Sequence, residues 1–555
     1  MKKTIKRISA LALTGLLGMT ALAGCSKEQS AQSDQTLEVY IIDTGYRTDG
    51  AKAIVNSFAE QDWVKEKYPN LQVKFTTNNV EGYALNKVKT PKTNEFDLLF
   101  TSDEMISTFE KNSKGEYLLT ELTDVVYNSE VLDQPGKKYI DAVNDTYLEY
   151  IGYTSLTDDV PKYFQVPWVT GLKGLLYSEE ILARYGYTDG KTPNTTDELL
   201  ALCAAIKADP ANSGNSKGYS ILHHANYWND LVPTWWAQYD GIEAYTNFWH
   251  GTYVSARGET EYSNKIFELE GRLKALEVIY EMVRFENKYY DLENYDKGDF
   301  MQRQTNFLKG QYALGVNADW FDTEMKSTVE LLKSENITPY TIKIMKMPIV
   351  SDIVDHLDTV KQDDQLSKVI AAIDEGKSYE QTKEIVSGLS ESDYNRIMEA
   401  RGVYLAPGMG HSAVVPAKAN SQDVALDVLK YMATKNCQEA YMKETGGQNL
   451  PFDYDFDAAP QDVLDSISPL QRDRLAYFYN KNYPIHILKP RLRYPLVRYA
   501  NFSMFSTNAT TWHTIFSLEE VVSTPQQIFD DTVKHWTKDT FEFALQQAGY
   551  IEGQG

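Results

Sequence analysis

The alternation of apolar and polar positions over 37–42, Leu-Glu-Val-Tyr-Ile-Ile, predicts a first strand, and a polar loop follows over 43–50. Ile54, Val55, Phe58 and Trp63 then recur at helical spacing up to Tyr68, where Pro69-Asn70 stops the helix. Strands over 71–76 and 96–100, with a helix over 80–88 between them, complete a β-α-β-α-β start. That order predicts a parallel sheet wrapped by helices, an α/β fold. A capping box from Thr195 to Glu198 opens another helix, and Leu273, Leu276, Ile279, Tyr280 and Val283 line the apolar side of a long one over 268–290. Behind the turn residue Gly310, Tyr312, Leu314 and Val316 alternate with Ala313 and Gly315 as a short buried strand. Asp319 and Trp320 stand at its carboxyl end, where ligands collect in open α/β sheets. Residues 351–401 are acidic and helix-patterned, 402–416 reads as strand, turn and strand, and single helices are expected over 423–444 and from Thr524-Pro525 to Ala548.

A chain of 555 residues is too long for one core, so several domains or two large lobes are expected. The net charge is −23, and the first 25 residues carry Lys2, Lys3, Lys6 and Arg7 with no acid, so without them the chain stands at −27. Such a surface repels nucleic acid. The basic start leads into an apolar run over 8–19, too short to span a bilayer, and ends in Leu22-Ala23-Gly24-Cys25. The polar residues 26–35 read as a tether. Cys203 and Cys437 sit in helical patterns as small apolar residues, and buried thiols are expected of both.

Several strand ends gather candidate chemistry. Asp43 and Arg47 follow the first strand, and Asp103 and Glu104 follow the third. Paired acids suit glycoside hydrolysis at about 5 to 9.5 Å, or they suit hydrogen bonding to adjacent sugar hydroxyls. Trp228, Trp235 and Trp236 fall on one side of a helix that begins or kinks at Pro233, and such a stripe is more often core than ligand platform. Asp453, Asp455 and Asp457 alternate as in a calcium loop, but the required glycine is Ala458 and position twelve is Leu464. No metal motif, nucleophile elbow or dinucleotide fingerprint is present, so no metal, cofactor or catalytic residue is expected.

Gly310-x-x-Ala313 followed by Trp320 resembles a segment of the extracellular solute-binding proteins of bacterial sugar transporters, the group that includes maltodextrin-binding protein, whose tryptophan stacks on the sugar. Gln165-Val-Pro-Trp-Val-Thr-Gly-Leu-Lys-Gly-Leu-Leu-Tyr177 is similar to that family's first passage between lobes, Met347-Pro348-Ile349 to the return, and Gly446-Gly-Gln-Asn-Leu-Pro451 to a later motif. The family's tryptophan after Pro-x-Thr is Thr196 here. Leu22-Ala-Gly-Cys25 resembles a lipoprotein box, which implies cleavage before Cys25 and lipidation of its sulfur.

The resemblance implies two lobes, each a mostly parallel sheet flanked by helices, with three hinge crossings. Residues 1–24 would be a signal peptide and 25–36 a tether. Lobe 1 would take 37–167 and 346–450, with a helical insertion over 351–401, and lobe 2 would take 168–345 and 451–555. It implies a non-enzymatic, monomeric component of an ABC importer, anchored outside the cell membrane and delivering a carbohydrate to a permease. The ligand-binding residues expected are Asp43, Arg47, Asp103, Glu104, Trp168, Trp228, Trp235, Asp319, Trp320 and Trp512. A lipoprotein that binds peptides or another solute, or a surface glycoside hydrolase, stays open as an alternative.

Overall fold

The strands that open the chain pair as their order requires. A computed structural model describes residues 35–44, 47–155, 158–212, 221–222, 227–255, 257–289, 300–405, 410–488, 494–506, 516–517, 519–520 and 523–551. Along the chain, the strands of the two main sheets are β1 (Thr36–Ile42), β2 (Gln72–Asn78), β3 (Leu98–Thr101), β4 (Val166–Pro167), β5 (Lys173–Ser178), β6 (Ile221–Leu222), β7 (Leu314–Ala318), β8 (Ile342–Ile344), β9 (Val403–Leu405), β10 (Ser412–Val414) and β11 (His486–Leu488). The first sheet has the order β2-β1-β3-β10-β4, and the second has β6-β7-β5-β9-β11, with β8 also paired to β5.

In each sheet one strand opposes its neighbours. β1 is parallel to β2 and β3, whereas β10 is antiparallel to both β3 and β4. In the second sheet β5 runs against β7, β8 and β9. Both β5 and β10 are the first strand laid down after the chain arrives from the other sheet.

Two large cores hold the lobes. Leu37, Val39, Tyr40 and Ile41 of β1 are fully buried, and the helix Arg47–Ala59 lays Ile54, Val55 and Phe58 on them. Each such side chain contributes about 1.5–3 kcal/mol. The helices expected as single rods are broken. Residues 423–444 form Gln422–Tyr431 and Lys435–Thr445, because the Thr434 hydroxyl accepts from the Cys437 amide and starts a new helix. Thr537 does the same between Pro525–His535 and Lys538–Gln547. A threonine oxygen that satisfies a free amide competes with helix continuation. The pattern over 268–290 is helical only over Gly271–Val283.

The assignment of 346–450 to the first lobe needs correction. The helices Asp363–Asp374 and Glu391–Arg401 bury Leu366, Val369, Ile370, Ile373 and Ile397 in the second core. Arg396 donates to the Tyr239 carbonyl at 2.9 Å, and Thr195 donates to Asp363 at 2.8 Å. β9 lies in the second sheet, so the chain returns to the first only at β10. The segment 351–401 is thus built into the second lobe, because its apolar stripes complete that core. The chain leaves the first core again after Phe452, which pairs with Val143. Cys203 and Cys437 are buried in different cores, and no disulfide joins them.

Candidate functional site

Four of the residues expected to meet ligand are structural. Asp103 is buried, and its carboxylate accepts from the Gly82 and Leu85 amides, both at 2.9 Å. It caps the first turn of the helix Tyr83–Lys89. Trp168 is fully buried in the first core, edge-on to Phe100 at 5.2 Å. Trp228 and Trp235 are fully buried in the second core, where Trp235 Nε1 donates to the Pro348 carbonyl at 3.2 Å. The helix Leu231–Asp240 that carries Trp235 is buried at eight of its ten residues, Thr234 and Gln238 among them. Trp512 and Cys25 lie outside the described residues.

Trp320 is also buried, 7% exposed, but it stands where the two lobes meet. β7 is buried along its whole length, and Asn317 is pinned by its amide donating to Gln304 at 3.1 Å. The strand ends at Ala318, and Trp320 begins the short helix Phe321–Glu324. Although a strand of the second sheet carries it, Trp320 packs with the first core. Tyr227 stands edge-on to it at 6.1 Å. Arg47, from the first lobe, places its guanidinium carbon 5.2 Å from the indole centre, and Lys173 Nζ of β5 is 5.7 Å away. Lys173 also lies 4.2 Å from the Tyr227 ring and pairs with Asp230 at 2.6 Å.

The charges around this ring are matched. Burial raises the Glu324 carboxyl and pushes the Tyr227 phenol up to about 12, and Arg47 draws both back down. Burial, helped by Arg47, holds His411 well below the usual imidazole range, so it is neutral at pH 7. Asp43 is exposed and accepts from the Thr48 hydroxyl at 2.9 Å, beside the start of the Arg47 helix. Asp319 is fully buried, 3.0 Å from the Arg474 guanidinium. Arg474 Nε gives its proton to Gln471 Oε1 at 2.6 Å, so its approach to Asp319 is a close electrostatic contact and not a hydrogen bond.

A second part of the same boundary surrounds Glu104. A cavity of about 40 Å³ is lined by Glu104, Phe109, Tyr150 and Gln165 of the first lobe and by Arg498 of the second. Burial raises the Glu104 carboxyl, and the Ile106 amide, Arg498 and Tyr150 hold it down. Arg498 lies 5.7 Å from the Tyr153 ring. Ser412 donates to Gln165 at 2.7 Å, and the neighbouring His411 ring is 6.0 Å from that of Trp168. The boundary therefore runs from Glu104 towards Trp320, lined by aromatic rings, carboxylates and cations from both lobes. Such a lining can stack on C–H faces and bond hydroxyls. No group of three or more metal-ligating side chains stands together among the described residues.

Of the expected residues, the structure brings Arg47 and Trp320 together and sets Glu104 at a second position on the boundary. Lys173, Asp230, Glu324 and Arg498 were not singled out from sequence. Lys173 lies inside the 165–177 passage motif, Asp230 inside the aromatic run 226–241, and Glu324 just beyond the strand that ends before Trp320.

The model of the bacterial extracellular solute-binding proteins matches residues 44–352. No curated protein matches the chain in sequence. A solved protein from work on xylan utilisation by Caldanaerobius polysaccharolyticus is 14% identical, with a TM-score of 0.52, covering 92% of this chain and 100% of its own. An ABC substrate-binding protein of Listeria monocytogenes, in complex with cycloalternan, is 12% identical, with a TM-score of 0.50 and 93% and 99% covered. A maltose-bound protein of T. maritima is 12% identical, with a TM-score of 0.50 and 90% and 98% covered. At these identities the likeness is one of fold, two α/β lobes. The family match extends over more than half of the residues and includes Arg47, Lys173 and Trp320, so the chain belongs to the bacterial extracellular solute-binding proteins, which work outside the cytoplasm.

Proposed function

We propose that this protein is the lipid-anchored substrate-binding component of an ABC importer. It captures a sugar or oligosaccharide between its lobes and delivers it to a permease. The observation that carries this reading is the indole of Trp320, borne by the second sheet and met by Arg47 from the first. A sugar ring can lay its C–H face on the indole while its hydroxyls meet Asp230, Glu324 and the cations paired with them. The cycloalternan and maltose of two structural relatives, and the xylan utilisation to which the third belongs, support this reading. The Leu-Ala-Gly-Cys25 sequence supports the anchor.

The boundary cavity has room for only a few water molecules, so entry of a sugar requires the lobes to part. A ligand that touches both lobes then favours closure through its differential affinity for the closed form. Titration calorimetry over a panel of neutral oligosaccharides should find affinity in the micromolar range, roughly 8 kcal/mol. Trp320→Ala should remove most of it while the fold persists. Should no glycan bind, or should Trp320→Ala bind as well as the unchanged chain, this assignment fails.

A further inference from the structure

Arg474 has no part in the passage motifs, yet it is fully buried where they meet. It lies on the helix Pro469–Phe478 of the second lobe. One nitrogen donates to Asn449 Oδ1 at 2.7 Å and reaches Thr170 Oγ1 at 3.4 Å. Another donates to the Gly447 carbonyl at 3.0 Å, and Nε serves Gln471. Thr170 lies on the first passage between the sheets, in the stretch that joins β4 to β5. Gly447 and Asn449 precede the last passage, and Thr170 itself donates to the Asn449 carbonyl at 2.7 Å. The same guanidinium stands 3.0 Å from Asp319, the residue directly before Trp320. The Asp319 carbonyl in turn accepts from the side chains of Gln448 and Gln471.

We infer that Arg474 is a positioning residue: it ties two of the passages between the lobes to the backbone that aims the Trp320 indole. It touches no ligand and acts through Asp319, Thr170 and Asn449. The inference rests on reading Trp320 as the ligand platform, but its geometry can be tested without a ligand. A guanidinium is suited to the task because its planar fork serves several acceptors at fixed angles, which a lysine ammonium cannot reproduce.

The test uses the full chain with Arg474→Met, Arg474→Lys or Thr170→Val. Folding is checked by circular dichroism, and the Trp320 share of acrylamide quenching is obtained by difference from Trp320→Phe. Each folded variant is expected to raise that share about twofold. Each should also weaken binding of maltotriose, or of whichever neutral oligosaccharide the unchanged chain binds, by roughly tenfold, about 1.4 kcal/mol. Arg474→Lys should not rescue either effect. Unaltered quenching in a folded Arg474 variant overturns the proposal, as does full rescue by lysine. If Arg474→Met does not fold, Thr170→Val decides by the same readings. If the unchanged chain binds no glycan, the carbohydrate reading fails and quenching alone judges Arg474.

Discussion

Asp103 receives two backbone amides, and that pair of hydrogen bonds makes it a stabiliser of the helix Tyr83–Lys89. Asp103→Ala should therefore lower unfolding stability by about 1–2 kcal/mol, read by chemical denaturation, and leave ligand affinity unchanged. Asp319 is expected to show itself through pH. Burial raises its carboxyl to about 7, with Arg474 pulling the other way. The folded chain thus keeps a proton that the unfolded chain releases at its ordinary, lower value, so this group's contribution falls as pH rises from about 4 to about 7 and is flat above. Asp319→Asn should flatten the melting temperature over that window, and an identical slope in both proteins would deny the assignment. The place of Trp320 at a strand end was legible from sequence, because the apolar alternation stops just before it. Arg474 was not, because its acceptors Thr170 and Asn449 lie 304 and 25 residues away, and no local pattern records them.

Among the elements, periodicity located the strands at 37–42, 71–76 and 96–100 and the helices between them, since burial of one face fixes each. It failed at the breaks. Thr434 and Thr537 start new helices through single hydroxyl bonds, a signal weaker than the apolar stripe that continues past them. It also failed over 351–401, because an amphipathic stripe says that a helix is covered and not by what. Ile370→Ala should cost about 2–5 kcal/mol by leaving a cavity in the second core, measurable as a shift in denaturation midpoint. Deleting 351–401 should leave the second lobe unable to fold, with loss of the cooperative thermal transition. Retention of that transition would mean the segment is detachable after all.

For the whole molecule, the proposed anchor and the proposed cleft can be tested apart. Cys25→Ala should move the protein from the membrane fraction to the soluble extracytoplasmic fraction without changing its affinity for sugar, since acyl chains supply attachment alone. Ligand should contract the molecule, visible as a smaller radius of gyration in X-ray scattering.

β10 fills the gap between β3 and β4, which are separated from it by more than 240 residues of chain. A chain exported amino terminus first would therefore emerge with an unfinished sheet, with an open edge on β3 awaiting a strand from near residue 412. On that route neither sheet could be completed until its late strand, β10 or β11, had emerged. Until then the waiting edge is a place where chaperones would be needed to hold off aggregation.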